Sequence, residues 1–481
     1  MANNTVAELV FIPAPAVGHI MSTIQMGKVL MNRDQTLSIT VLIIKSPYPD
    51  VALAAYIESL AENTNERIRF VELPQDQTPL KHNNPKAPVT SFYEYINNHR
   101  QYVRNIVADM INITQDGSSS RVVGFVVDIL CVGMIDVANE LNVPSYVFFA
   151  ANSAFLGLNL YMERLFVDQE KDVIEMSNLE GEMVVPSFVN PVPMKVFRTV
   201  CQIDGDMGFL VYSFRELRKA KGIMVNTFSE LETHAIQSFS DTNFPPVYPV
   251  GPVLNLDGVA GKTDDKDVLS WLDGQPPSSV VMLCFGSMGS FGEAQVKEIA
   301  GGLERSGHRF VWSLRLSLWQ KQSVDDPLEL LPDGFLERTK GIGKVIGWAP
   351  QVALLAHEAV GGFVSHCGWN STLESLWFGV PTATWPMYAE QQMNAFEMVV
   401  ELGLAVDLKS DYKIDLLNPE ENIVIVTAEE IEMGIQRLME DNEVRAKVKE
   451  MSKLSRATVA KGGSSYSSVG CVVQEIMSHT I

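Results

Sequence analysis

Two residues far apart in the chain have the chemistry of a proton-transfer pair. His19 lies in PAPAVGHI, just after an apolar run, and Asp128 closes the run RVVGFVVD. Imidazole, with an unperturbed pKa of about 6.5, is neutral near pH 7 and can take the proton of a hydroxyl nucleophile. A carboxylate beside it orients the ring and stabilises the charge it gains. Each residue alone also fits a plainer role, His19 at the start of a helix and Asp128 as a strand-end cap. Asn152 and Ser153, just past SYVFFA, are placed to line the same pocket, although Asn152 equally suits capping the next helix.

A second constellation is built to hold an anion. The run GGFVSH is followed by Cys367-Gly368, and a helix then opens at Trp369-Asn370-Ser371. A glycine turn at a helix N-terminus presents unpaired N–H groups and the positive end of the helix dipole. That dipole contributes about 0.3–1 kcal/mol per anionic group. Asn370, Ser371 and Glu374 share the entry end of this helix. Amide and hydroxyl suit phosphate oxygens, whereas Glu374 would repel phosphate and suits the two hydroxyls of a ribose. Asn370 and Ser371 are also ordinary N-cap residues. His366 ends the preceding strand, and a second loop, Phe285-Gly286-Ser287-Met288-Gly289-Ser290, follows another strand end. Two such loops in one domain suggest a diphosphate.

Elements that place these residues alternate along the chain. Short β-branched runs (8–15, 37–44, 68–74, 121–128, 145–150 and 221–228) are separated by helical stretches, one of them running through Gln25 to Asn32. This is the pattern of parallel βα units covered on both faces. The stretch 247–267 is rich in Pro, Gly and Asp and reads as a connection. Beyond it the alternation restarts (279–287, 309–314, 344–348, 361–366 and 382–387). We therefore expect two doubly wound α/β domains facing a cleft, over 1–250 and 268–460, with a linker at 251–267. Residues 461–481, past the interruption at Gly462-Gly463, are expected to cross back to the first domain.

Composition narrows the partners. With 37 basic and 58 acidic residues the chain carries a net charge of −21, which repels nucleic acid and anionic lipid. An anionic substrate then needs a local device such as the helix terminus above. The five cysteines are scattered without a CxxC pair, and no apolar run reaches membrane-spanning length. No basic-then-apolar leader opens the sequence, so a cytoplasmic protein is expected.

The 44 positions from Trp348 to Gln391, WAPQ through HCGWNS to EQ, resemble the plant secondary-product glycosyltransferase box. The PAPAVGHI and FVVD segments are similar to the same family. The resemblance implies a GT-B fold and an inverting transfer of a sugar, with UDP-glucose and a small lipophilic acceptor as partners, no cofactor and a monomeric chain. It implies that Trp348 stacks on uracil with Gln351 beside it. His366, Ser287, Asn370 and Ser371 would contact the diphosphate, and Glu374 the ribose. Trp369, Glu390 and Gln391 resemble the sugar contacts, a final Gln going with glucose in this family. His19 and Asp128 match its catalytic dyad. His357, in the same box, reads as a helix C-cap.

Acceptor recognition is less legible. Phe92, Phe155, Phe197 and Met387 are candidate apolar walls. Asp204-Gly205-Asp206 has the letters of a metal-binding DxD motif but follows no strand, and TDDKD (263–267) lies in the connection; both read as solvated acids. A dinucleotide dehydrogenase would need G-x-G-x-x-G after the first strand, which PAPAVGHI lacks. A UDP-sugar epimerase or a non-catalytic UDP-sugar-binding protein on the same fold are the alternatives.

Overall fold

A computed structural model of the chain describes residues 6–48, 51–62, 67–75, 88–115, 120–169, 181–196, 207–240, 244–257, 266–316, 324–412 and 424–478. The β-branched runs become strands, beginning with β1 (Val6–Ile12), β2 (Leu37–Ile43), β3 (Ile68–Glu72), β4 (Ser120–Asp128) and β5 (Ser145–Phe149). A small antiparallel pair, β6 (Glu182–Met183) and β7 (Val192–Pro193), precedes β8 (Gly222–Val225) and β9 (Val247–Pro249). The second half supplies β10 (Val280–Cys284), β11 (Arg309–Ser313), β12 (Gly343–Ile346), β13 (Val360–Ser365), β14 (Thr382–Thr384) and β15 (Ala405–Asp407).

Among the described residues these strands form two parallel sheets, ordered β3-β2-β1-β4-β5-β8-β9 and β12-β11-β10-β13-β14-β15. Every residue of β5, β10 and β13 is buried, as helices on both faces require. The order reverses between β1 and β4 in the first sheet and between β10 and β13 in the second. At such a reversal the connections leave in opposite directions and open a crevice beyond the strand carboxyl ends, where α/β sheets bind ligands. His19 follows β1 and Asp128 ends β4. The Gly286 loop follows β10 and His366 follows β13.

The structure differs from the sequence reading at several places. The connection read over 247–267 opens with β9, an edge strand that tolerates Pro249 because its outward side needs no N–H. The first helix runs over Val17–Arg33 rather than starting near Gln25, which puts His19 on its first turn instead of in a loop. β15 and the β6–β7 pair have only two or three residues each, too few to show a period. No described helix is long and apolar enough to cross a membrane.

The helix Asn442–Val459 ends before the Gly462-Gly463 turn, and Ser464–Ser478 packs against Val17–Arg33 and β9. Its Val469, Val472, Val473 and Ile476 are buried in the cluster that holds Leu9 and Phe11 of β1. The second half of the chain thus contributes a wall of the first domain's core. Ile476→Ala should lower the stability of the first domain by about 2–5 kcal/mol, read from denaturant unfolding of the whole chain. A loss below about 1 kcal/mol would mean that this helix is not docked as described.

Candidate active site

The proton-transfer pair is assembled across the first sheet's reversal point. His19 Nδ1 lies 2.7 Å from Asp128 Oδ2, and the Asp128 side chain has no exposure. The other carboxylate oxygen accepts from the Leu130 N–H at 2.9 Å, so Asp128 caps the turn Ile129–Cys131 while it faces the imidazole. The cap and the contact with the imidazole are made by opposite oxygens of one carboxylate. With Nδ1 donating to Asp128, the tautomer this contact favours, Nε2 keeps its lone pair. Burial pulls the His19 pKa down, but the Asp128 charge and hydrogen bond, with the charge of Glu390, outweigh it and leave the imidazole raised above 6.5. Glu390 stands just before the helix Gln391–Phe396, so the second domain acts electrostatically on the first domain's histidine.

On the facing side, His366 sits between two glycines. A Cβ on Gly286 would lie 2.4 Å from its Nε2, and one on Gly368 2.5 Å away, so neither position admits a side chain. Burial, with the Arg315 charge adding to it, pushes the His366 pKa down to about 4. At neutral pH His366 is therefore an uncharged imidazole, which can offer a ring N–H but no positive charge. Cys367 turns the chain at φ +61°, and Gly368 then opens the helix Trp369–Phe378.

Around the helix entry, Gln351 Nε2 donates to Ser371 Oγ at 2.8 Å and to Glu374 Oε2 at 2.7 Å. Burial pushes the Glu374 carboxyl up to about 7, with the Gln351 bond opposing. Trp348 is 57% exposed, an open indole at the same edge. Asn370 reaches across the cleft, its Nδ2 donating to Ser22 Oγ at 3.0 Å on the helix that carries His19. Ser287 is exposed on the Gly286 loop.

Two of the residues read as sugar contacts have other attachments. Trp369 is buried, and its indole N–H donates to the Asn226 carbonyl of the first domain at 2.7 Å. Its side chain is therefore part of the domain contact. Gln391 Oε1 accepts from Met387 N at 2.9 Å and Tyr388 N at 3.1 Å, so its carbonyl end holds the preceding turn.

The acceptor-side residues also divide. Phe92 and Phe155 are half-buried, Phe155 with its ring centroid 6.2 Å from that of Phe149. Asn152 is not a free pocket residue. Its Oδ1 caps the Phe155 N–H at 2.7 Å, and its Nδ2 donates across the domains to Asn394 Oδ1 at 2.7 Å. Met387 is fully buried in the second domain's core, so it is not a wall either. Phe197, Asp204–Asp206 and 263–265 lie outside the described residues. His357 ends the helix Gln351–Ala356 as its C-cap.

Sequence reasoning missed Ser22, Asn226 and Asn394, which join the two sides, and Arg315, which contacts the Gly286 loop within the second domain. Arg315 left one signal, its place two residues past a parallel strand, at the edge where such sheets bind ligands.

Two Rossmann-like domains with a polar crevice between their strand carboxyl ends define the GT-B class of transferase. The family model described as "UDP-glucoronosyl and UDP-glucosyl transferase" matches residues 19–454. A Panax ginseng UDP-glycosyltransferase 1 is 50% identical, covering 98% of this chain and 100% of its own length. A Fragaria ananassa UDP-glucose flavonoid 3-O-glucosyltransferase 6 is 49% identical, with 98% of each chain covered. The crystal structure of Medicago truncatula UGT71G1 complexed with UDP-glucose superposes with a TM-score of 0.85 at 40% identity, over 99% of this chain and 100% of that one. The chain belongs to this family and is a UDP-glycosyltransferase.

The opposed shifts of the two cleft histidines can be read directly. Imidazole NMR of the ligand-free protein should show His19 titrating above 6.5 and His366 staying neutral down to about pH 4. A His366 that gains its proton near pH 6.5 would show that the glycine-walled pocket is open to water.

Proposed function

We propose that the chain is an inverting glucosyltransferase that moves glucose from UDP-glucose to a hydroxyl of a small lipophilic plant metabolite, a flavonoid or other phenolic or a triterpenoid. The observation that carries the reading is the 2.7 Å His19–Asp128 contact at one reversal point, facing the His366–Asn370 turn at the other. A relative named for flavonoid 3-O-glucosyl transfer, 49% identical, supports the acceptor class, and the final Gln391 supports glucose.

In this mechanism His19 Nε2 takes the acceptor's hydroxyl proton, and Asp128 stabilises the imidazolium. The acceptor oxygen bonds to the anomeric carbon while the bond from that carbon to the β-phosphate oxygen breaks. UDP departs with the electron pair from the opposite face, which inverts the centre. Charge growing on the diphosphate meets Ser371, the neutral N–H of His366 and the positive end of the Trp369–Phe378 helix. Preorganised groups of this kind usually make the largest single contribution to catalysis. Trp348 stacks on uracil, Glu374 with Gln351 takes the ribose, and Glu390 takes the sugar together with the amide nitrogen of Gln391. These groups would hold the co-substrate without a resident cofactor.

His19→Ala should lower kcat at least about 10²-fold while UDP affinity stays nearly intact. Because His19 is raised and must be neutral to act, kcat/KM should fall as pH drops through that raised value. Asp128→Asn removes most of the upward push, so the acid limb should move to lower pH with a lower plateau. An unmoved limb, or His19→Ala retaining a tenth of kcat, would exclude this base.

Initial rates with UDP-glucose, UDP-galactose and UDP-glucuronic acid test the sugar. UDP-glucose should win by about tenfold or more, and Gln391→Ala should erode that preference. Equal rates for the three donors, or unaltered ratios in the mutant, would contradict the assignment.

A further inference from the structure

Arg315 stands at the strand-carboxyl edge of the second domain, beside the loop that follows β10. Its Nη1 donates to the Ser287 carbonyl at 2.9 Å. Its Nη2 donates to the Gly286 carbonyl and lies 3.5 Å from the Gly289 carbonyl. The guanidinium carbon is 5.0 Å from the centroid of the Trp348 ring, in cation–π range. One planar cation thus touches both the glycine loop and the exposed indole.

The consequence follows from peptide geometry. In a trans peptide the C=O of one residue and the N–H of the next point in opposite directions. With the Gly286 and Ser287 carbonyls turned toward Arg315, the Ser287 and Met288 N–H groups are turned away from it. Gly286 at φ +74° permits this orientation, and Ser287 and Met288 are both exposed. The loop lies against His366, as the clash of a Gly286 Cβ with that ring shows. Successive N–H groups aimed outward from a turn make an anion-binding concavity.

We propose that Arg315 is a positioning residue of the sugar-donor site. Its fork holds the loop carbonyls so that the Ser287 and Met288 N–H groups face the departing diphosphate. The proposal rests on reading this cleft as the UDP site. It differs from simple charge attraction, because three of the five guanidinium N–H groups are directed at loop carbonyls. A lysine supplies the same charge at this position but cannot reproduce a planar fork.

The test compares UDP and uridine binding by calorimetry in wild type, Arg315→Lys and Arg315→Gln, with Trp348→Ala as a control for the site. UDP should weaken by about tenfold or more in both Arg315 variants, while uridine changes by no more than about twofold. Retained uridine binding also reports an intact fold. A Lys variant with wild-type UDP affinity, or an equal loss for uridine and UDP, would overturn the proposal. If Trp348→Ala leaves both ligands unaffected, the site reading itself fails. Amide NMR of the unmodified protein gives a check that needs no variant. The Ser287 and Met288 amide protons should move downfield with UDP and stay in place with uridine, and unmoved amides would equally overturn it.

Discussion

A chain that leaves a buried strand and enters a helix three residues later must turn through backbone conformations that side chains resist. The rest of the site depends on how that turn is held at Cys367. A non-glycine residue at φ +61° carries strain of order 1–3 kcal/mol and persists only where its surroundings fix it. Here the Cys367 N–H donates to Ser365 Oγ at 3.1 Å, and its carbonyl accepts from Asn394 Nδ2 at 2.8 Å. Asn394 is in turn held by Asn152, Trp369 by the Asn226 carbonyl, and Asn370 by Ser22. Three of the turn's attachments therefore end in the other domain. The helix terminus that opens at Trp369 is aimed by the half of the molecule that carries His19.

That arrangement bears on how a chain with net charge −21 accommodates a doubly charged diphosphate. Glu374 and Glu390 both lie in the cleft, and burial raises both pKa values, Glu374 to about 7. Raising a carboxyl pKa lowers the average negative charge there, so burial softens the repulsion that the sequence alone would suggest. His366 is kept neutral, so in the proposed donor site attraction falls to the helix dipole and to the loop N–H groups that Arg315 orients. Fixed dipoles in a water-poor crevice need no reorganisation as charge develops. A second carboxyl pair follows the same rule: Glu232 accepts from the Ser153 and Ala154 N–H groups, and Glu397 beside it is raised by burial and by the Glu232 charge.

What the sequence made legible is what local rules govern. Runs such as LSITVLI and VVMLC could only be buried strands, and the reversal of strand order then brought His19 to Asp128 and the Gly286 loop to His366. The short elements Ala405–Asp407 and Val247–Pro249 escaped because three residues carry no period. The cap that Asn152 makes was legible, but the other contacts of Trp369, Asn152 and Gln391 escaped for a different reason. Each has the right chemistry for substrate, but the structure commits part of that chemistry to another partner. For Trp369 and Asn152 the partner lies 143 and 242 residues away in the chain. No spacing rule reports which of two possible hydrogen-bond partners a buried amide will meet.

The asparagine bridge shows why the two halves cannot be treated as separate binding modules. A buried amide left without its partner loses about 1–3 kcal/mol, so the Asn152–Asn394 bond favours the cleft as it stands. Asn370 is placed differently, being only partly buried, with its Nδ2 donating to Ser22 Oγ across the cleft at 3.0 Å. The two domains are thus tied by one buried amide bridge and by one that is half-buried. Because Ser22 lies three residues from His19 on one helix, Asn370 brings the turn at Cys367 against the element that carries His19.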